Sequence, residues 1–160
     1  MEIEQKPRVG IGVTILKEGK ILLGKRKGSH GQGEWASPGG HLEYMESFKD
    51  CVLREVAEEC GLEIENIRFQ FLANMTAYAP KHYCHIGMLA DWKAGEPQTL
   101  EPHKCAAWKW FDLNDLPQNI FVASQWSIEA LNEGFIFKDA AEPLMHPTSE
   151  VNQHGLKQKT

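Results

Sequence analysis

The segment from Gly39 to Leu62, GGHLEYMESFKDCVLREVAEECGL, constrains the fold most, because it predicts a helix with more acid than stability alone favours. Ser47, followed three residues later by Asp50, is typical of a helix N-cap. Gly61 is typical of the left-handed residue that follows a helix. These signals predict a helix over residues 47–60. The glycine pair that precedes it lets backbone approach a ligand closely.

The helical period places apolar and acidic side chains of this helix in neighbouring arcs. The expected core face is formed by Val52, Leu53, Val56 and Cys60. The acidic arc is formed by Glu55, Glu58 and Glu59. Like charges at these spacings repel by about 0.2–0.5 kcal/mol per pair, and acids near a helix C-terminus also oppose the helix dipole. A positive partner is therefore expected.

A divalent metal ion is the partner that fits this acidic arc best. Arg54 reaches Glu58 one turn away, but one guanidinium cannot neutralise three carboxylates and also meet Glu46. Clustered carboxylates and backbone carbonyls are hard ligands that suit Mg²⁺ or Mn²⁺, and such ions imply phosphate chemistry. The alternative is a solvated acidic face, which is disfavoured because the acids adjoin the apolar arc.

The same residues resemble the Nudix box, G-x5-E-x7-R-E-U-x-E-E-x-G-U, in which U is a bulky aliphatic residue. Gly40, Glu46 and the run from Arg54 to Leu62 match every defined position. The resemblance implies an α/β fold, a Nudix-type α/β/α sandwich with a central mixed β-sheet. It also implies Mg²⁺-dependent hydrolysis of nucleoside diphosphates linked to another moiety, with Mn²⁺ able to substitute.

Stretches outside the box extend the resemblance over about residues 9–135. LLGKRKGSHGQG, PGGHLE and EPHKCAAWKWF look like the MutT-type nucleotide triphosphate diphosphatases. That branch hydrolyses nucleoside or deoxynucleoside triphosphates, often guanine or altered-base nucleotides, to the monophosphate and pyrophosphate.

The resemblance also implies roles for individual residues. The metal ligands are the Gly39 carbonyl and four glutamates, Glu55, Glu58, Glu59 and Glu101. The catalytic residues are Glu55, Arg54, Glu58 and Glu101. Glu55 is the first choice for general base and Glu101 the second, while Arg54 orients Glu55 or pairs with Glu46.

Substrate-binding residues are expected on both sides of the box. Arg26, in a basic glycine-rich loop, resembles the family's phosphate-contacting arginine. The other expected substrate-binding residues are Ser37, Gly40, His41 and Phe121. His41 either hydrogen-bonds phosphate or caps the turn, and the two alternatives stay open.

Alternating apolar residues and turn signals predict the remaining elements. Strands are expected over residues 9–16, 21–24, 67–76, 82–92 and 106–111. A second helix is expected over residues 124–132, with Ser124 as its cap and Gly134 as its stop. Gly10 and Gly12 share one face of the first strand, which indicates either close packing or room for a flat ligand.

The sequence favours neither a zinc site nor disulfide bonds. His82, Cys84, His103 and Cys105 form no common zinc-site spacing, and packing with strand-edge polarity explains them more simply. Scattered cysteines in an ordinary composition favour reduced thiols in the cytoplasm.

Length and charge limit the number of domains and the classes of partner. The 160 residues predict one domain over 1–160, with a core of about 9–135 and a polar C-terminal tail of about 140–160. A net charge of -5 disfavours polymeric nucleic acid, and no apolar run nears the length of a membrane span. We expect a small nucleotide substrate and no membrane partner, with a homodimer left open.

Other functions remain as alternatives. Tyr78 resembles a tyrosine of dinucleoside polyphosphate hydrolases, and Pro80 resembles a feature of the ADP-ribose subfamily. A nucleotide sensor that does not cleave is disfavoured because the acids of the box are intact. An acidic helix that merely binds Ca²⁺ predicts thermal stabilisation without turnover.

Overall fold

The computed structural model describes residues 5–28 and 30–140, with Ala140 described by its backbone alone. The expected tail therefore lies outside the described residues, apart from Ala140. The elements in chain order are β1 (Arg8–Lys17), β2 (Lys20–Arg26), β3 (Trp35–Ala36), β4 (Gly39–His41), α1 (Phe48–Glu59), β5 (Glu63–Met75), β6 (Tyr83–Ala94), β7 (Cys105–Asp112), α2 (Val122–Glu133) and β8 (Phe137–Ala140). Among the described residues, neither helix has the length and apolarity needed to cross a membrane.

The strands form a mixed sheet in the order β3-β2-β1-β6-β5-β8, with β4 paired to β1 and β7 paired to β2. The pairs β1–β6 and β5–β8 are parallel, and β1–β2 and β5–β6 are antiparallel. β1 meets β2 only near Leu16 and Lys17, and it pairs with β4 through Gly10, Ile11 and Gly12. The sheet therefore parts between β1 and β2, and the glycine pair of β4 enters that gap.

The two faces of the sheet carry separate cores, as an α/β/α sandwich requires. On one face, Val52 and Val56 of α1 pack in a cluster with Ile11 and Val13 of β1. On the other face, Trp126 of α2 packs in a cluster with aromatic and aliphatic residues of β5. Alternation along β1 sends Ile11 and Val13 towards α1 and places the glycines between them on the α2 face. The expected fold class is confirmed.

Helix α1 has the predicted boundaries but not the predicted core face. The hydroxyl of Ser47 accepts a hydrogen bond from the Asp50 N–H at 3.1 Å, and Gly61 has φ +69°. Leu53, expected in the core, is 46% exposed, whereas Cys51 is fully buried. The buried arc runs from Cys51 to Cys60 and is centred near Glu59, which leaves Leu53 beyond its edge. Partly buried acids thus lie within the buried arc.

Helix α2 begins earlier than its sequence predicts. It starts at Val122, and Phe121 at the N-cap makes no side-chain capping bond. The predicted cap, Ser124, is buried, and its Oγ instead accepts a hydrogen bond from the Ser37 N–H at 2.9 Å. The predicted stop is confirmed, because Gly134 has φ +74°.

Candidate active site

One cavity of about 730 Å³ is lined by every residue that the sequence nominated for the site. These are Arg26, Ser37, Gly39, Gly40, His41, Arg54, Glu55, Glu58, Glu59, Glu101 and Phe121. At what we term the acidic end, α1 and the segment before β7 supply Glu55, Glu58, Glu59 and Glu101. At what we term the neutral end, β1, β5, β6 and α2 supply Gly10, Gly12, Thr14, Phe71, His85, Gly87, Ser124 and Ser127.

Arg54 organises the acidic end. Its Nε and Nη2 donate to the two carboxylate oxygens of Glu46 at 2.7 and 2.9 Å, a bidentate pair. Its Nη1 donates to Glu55 at 2.8 Å and, more weakly, to Glu58 at 3.4 Å. Its Nη2 also donates to the His41 carbonyl at 3.1 Å, which ties α1 to β4. The arginine lowers the pKa of Glu46 to about 2 through these hydrogen bonds.

The glycine pair of β4 lets backbone and carboxylates approach each other. A Cβ on Gly40 would overlap the Glu55 carboxyl group, and a Cβ on Gly39 would overlap the Ile11 carbonyl oxygen. The Gly39 N–H donates to Glu59 Oε1 at 3.0 Å. Neither position accommodates a side chain without displacing the site.

Glu55 and Glu59 are held close together and partly buried. Burial, together with the negative charges of Glu55 and Glu101, raises the pKa of Glu59 to about 9, although the hydrogen bond from the Gly39 N–H opposes the rise. Burial also raises the pKa of Glu55, because it outweighs the opposing hydrogen bonds from Glu59 and Arg54. Burial therefore disfavours two unpaired carboxylates at this position, and a bound cation would relieve that cost.

Cationic side chains face these acids across the cavity. Lys104 donates to Glu101 at 3.4 Å, and the Arg26 guanidinium lies 4.5 Å from the centre of the Phe121 ring. Lys27 and Lys81 also line the cavity. Sequence reasoning named Arg26 but missed Lys104, although its position three residues after Glu101 places it on the same turn.

The donors of the acidic end fit a hard divalent cation in chemistry. The four glutamates and Gly39 lie around the same part of the cavity, and all their available donors are oxygen. Within residues 5–28 and 30–140, no three acidic, imidazole or thiol groups converge as a ready-made metal site. The hydrogen bonds of Arg54 to Glu55 and Glu58, and of Gly39 to Glu59, account for that spread.

A directed chain of hydrogen bonds crosses the neutral end, and we call it the hydroxyl relay. Gln70 Nε2 donates to the Ser127 carbonyl at 2.8 Å, and Ser127 Oγ donates to Gln70 Oε1 at 2.6 Å. Thr14, 2.6 Å from Ser127 Oγ, must therefore be the donor in that contact. Ser124 donates to Ser37 at 3.4 Å, and Ser37 lies 3.4 Å from Thr14. The hydroxyl protons of Thr14, Ser124 and Ser127 are therefore all donated to other protein groups.

His85 differs from the relay. It is 8% exposed and lines the cavity, and burial lowers its pKa to about 4. In the described part of the chain, neither of its ring nitrogens has a hydrogen-bond partner. A Cβ on Gly12 would lie 3.1 Å from the ring, and one on Gly10 would lie 3.6 Å from Nδ1. The two glycines therefore make room for the imidazole, a role that the sequence alone did not reveal.

Tyr78 has a structural role in the described structure. Its hydroxyl donates to Glu34 at 2.6 Å and accepts from the Val122 N–H at 3.0 Å. Its ring stacks on Phe121 with centroids 4.6 Å apart and an interplanar angle of 7°. Tyr78 thus holds the start of α2.

The residues considered for zinc are not assembled. His82 hydrogen-bonds Asn74 at 2.6 Å, whereas Cys105 lies buried against Gly24 at the start of β7. The four cysteines are free thiols, with Cys51, Cys60 and Cys105 buried. Cys105 therefore has a packing role, and His82 bonds at the edge of the sheet.

The sequence matches the family profile described as "NUDIX domain" over residues 6–131. This chain belongs to the Nudix family. Nudix hydrolases generally use divalent metal ions such as Mg²⁺, and they act on small nucleotide substrates.

The Nudix proteins similar to this chain are named for different substrates. An ADP-ribose pyrophosphatase of Methanocaldococcus jannaschii is 34% identical over 116 residues, which cover 72% of this chain and 68% of the relative. An oxidized purine nucleoside triphosphate hydrolase of Danio rerio is 30% identical over 111 residues, with 66% of each chain covered. The crystal structure of a MutT NUDIX hydrolase from Burkholderia pseudomallei is 36% identical, covers 78% of this chain and 97% of that one, and has a TM-score of 0.73. This chain thus spans about two thirds of each of the two named relatives. It is a Nudix hydrolase of nucleoside diphosphate-linked compounds.

Proposed function

We propose that this Nudix hydrolase is a Mg²⁺-dependent nucleoside or deoxynucleoside triphosphate pyrophosphohydrolase, acting on guanine or altered-base nucleotides among others. The proposal depends on one observation above all. Four glutamates and the cations Arg26, Lys27 and Lys104 line the same cavity, as a substrate with a metal-bound polyphosphate requires. The similarity to the Danio rerio enzyme supports a triphosphate as substrate.

The Gly39 carbonyl and Glu55, Glu58, Glu59 and Glu101 would hold Mg²⁺, with Mn²⁺ able to substitute. Once bound, the ion neutralises charge on phosphate oxygens and makes water more acidic. Hydrolysis forms a bond from a water oxygen to phosphorus and breaks the phosphoanhydride bond that releases pyrophosphate. In the proposed mechanism Glu55 takes the proton of the water, and Glu101 is the second candidate.

In this proposal Arg54 positions the general base, Glu55, and does not contact the substrate. Its bonds to Glu46, Glu55 and the His41 carbonyl fix the Glu55 carboxylate against Gly40. Arg26 would grip the outer phosphates, because a guanidinium can bind them through two parallel hydrogen bonds. His41, at the end of β4, lines the cavity with its Nε2 3.4 Å from the Tyr83 hydroxyl, and it would contact phosphate in this proposal.

ADP-ribose is the second candidate substrate, favoured by the similarity to the Methanocaldococcus jannaschii enzyme. The acidic end would serve either reaction, because both break a phosphoanhydride bond. The neutral end and the groups around Phe121 must then determine whether the enzyme prefers a nucleoside triphosphate or ADP-ribose, which carries a second sugar.

The test is to incubate the purified protein and Mg²⁺ with nucleoside and deoxynucleoside triphosphates, ADP-ribose and diadenosine polyphosphates, and to separate the products chromatographically. We expect triphosphates to give monophosphate and pyrophosphate. Cleavage of ADP-ribose or a dinucleotide alone would replace the triphosphate proposal with the second candidate. No cleavage, combined with a nucleotide-dependent rise in Tm, would indicate a sensor.

A further inference from the structure

We propose that the imidazole of His85, at the neutral end of the cavity, selects the nucleobase through a direct hydrogen bond. This inference rests on the proposed function, since it requires a nucleotide substrate. It assigns a specificity-determining residue.

Charge separates the two ends of the cavity. The ionised side chains come from α1, from the segments that precede α1, β6 and β7, and from Arg26 and Lys27 at the end of β2. The residues of the neutral end are glycines, hydroxyl residues, Phe71 and His85. Burying a phosphate at the neutral end would leave an anion without a counter-charge, whereas a planar neutral ring suits it. The base is the neutral, planar part of a nucleotide.

The hydroxyl relay limits which side chains can donate a hydrogen bond to a base. Thr14, Ser124 and Ser127 donate their protons to one another or to Ser37 and Gln70, so they offer a ligand lone pairs only. The relay also holds α2 against β1 and β5. Hydroxyl groups fixed in this way shape the pocket, but none of them can act as a donor without breaking a buried bond.

His85 is the polar group of the neutral end that stays available. Its imidazole is buried and neutral, so one nitrogen can donate and the other can accept. In the described residues neither nitrogen has a hydrogen-bond partner in the protein, and neither is sealed from the cavity, so both are open to a ligand there. A base edge provides such a partner.

The sheet register places the imidazole where a base would lie. His85 is opposite Gly10, and Gly87 is opposite Gly12, in the parallel pair of β1 and β6. The glycines let the ring lie against β1, and Phe71 packs over Gly87 with its centroid 5.7 Å from the imidazole. Phe71 and the imidazole thus border the pocket side by side, a setting in which a planar ring gains contact area.

The experiment measures binding of reaction products by calorimetry in the presence of Mg²⁺. The ligands are the four ribonucleoside monophosphates and ribose 5-phosphate, and the proteins are the wild type, His85→Phe and His82→Phe. The phenyl ring preserves the shape of the imidazole but has no nitrogen. His82 is the matched control, because it lies three positions earlier, just before the same strand, and does not line the cavity.

We expect His85→Phe to weaken the best monophosphate about tenfold and to change the ranking of the bases, the effect of losing one hydrogen bond. Ribose 5-phosphate should bind the wild type and His85→Phe equally, and His82→Phe should keep the wild-type ranking. An unchanged ranking in His85→Phe would overturn the proposal and leave His85 as a packing residue.

A second measurement on the wild type keeps the test decisive if His85→Phe does not fold. The ¹⁵N resonances of the His85 ring should shift when the preferred monophosphate is added and stay in place with ribose 5-phosphate. Equal responses to both would contradict base contact. If none of the substrates were hydrolysed, the proposed function would be rejected. The role of His85 would still be tested, because the ranking of the bases is measured by binding and not by turnover.

Discussion

The two ends of the cavity treat polar groups in opposite ways. At the neutral end, the hydroxyl relay satisfies its members through directed hydrogen bonds that hold α2 to the sheet. At the acidic end, Glu55 and Glu59 crowd each other, and burial raises the pKa of both. Polar groups that stabilise the fold are paired within the protein. A ligand should bind where acids repel each other and at His85, which has no hydrogen-bond partner in the described part of the chain.

The largest expected effect is on catalysis, from Glu58→Gln at the acidic end. Glu58 is half exposed and repels its neighbours, so the amide should leave the melting temperature unchanged or slightly raised. We expect kcat/KM to fall at least about 10²–10³-fold, as when one preorganised electrostatic group is removed. Asp50→Asn, an acid-to-amide change on the same helix outside the cavity, is the control for both measurements.

A smaller loss of activity is expected from Arg54→Lys. Lysine keeps the charge but cannot bind Glu46 through two bonds and still reach Glu55. Groups that orient a catalytic residue typically contribute about 10- to 100-fold to activity. Steady-state kinetics should show the fall mainly in kcat. A fall confined to KM would argue that Arg54 contacts the substrate instead.

Breaking the hydroxyl relay should affect stability and spare the acidic end. Ser127→Ala leaves Gln70 Oε1 and the Thr14 hydroxyl without their partner in a buried site. Such unpaired groups cost about 1–3 kcal/mol in free energy of unfolding. Denaturant titration measures the loss, and activity per folded molecule should be unchanged at saturating substrate. A large drop in kcat would contradict the division between the two ends.

A pH-dependent loss of stability should come from His85. Its pKa is lowered from 6.5 to about 4 by burial, and the residues that pack on it, Gly10, Gly12 and Phe71, carry no charge. Below pH 6.5 the unfolded chain binds a proton that the folded chain does not, so stability falls as pH falls towards 4.

Between pH 7 and 5 this linkage amounts to about 2 kcal/mol. Urea unfolding at the two pH values should therefore show a smaller difference for His85→Phe than for the wild type. Equal differences would mean that the imidazole is not buried in its neutral form.

Local signals and side-chain identity predicted the acidic end well. The Ser47 cap and Gly61 predicted the bounds of α1, and the spacing of its acids predicted that Glu55, Glu58 and Glu59 lie together, as they do in the cavity lining. The helical period did not reveal which way the helix faces, because that depends on the tertiary packing of Cys51 and Cys60. Leu53 was therefore placed in the core although it is 46% exposed.

Features that depend on distant partners could not be predicted. Ser124 is a favourable cap by propensity, but its bond to Ser37 inside the fold leaves Phe121 at the N-cap. His85 meets Gly10 only through the parallel register of β1 and β6, which no local pattern encodes. Strand β8 was missed for the same reason, because its partner β5 lies far away in sequence.

The pairing of β8 with β5 has a consequence for biosynthesis. Residues 72–75 of β5 pair in parallel with residues 137–140, so this edge of the sheet stays open until nearly all of the described chain has left the ribosome. An open edge displays unpaired amide and carbonyl groups that can capture a strand of another nascent chain. Chains that terminate early, before residue 137, should accordingly be aggregation-prone even though both ends of the cavity are already encoded.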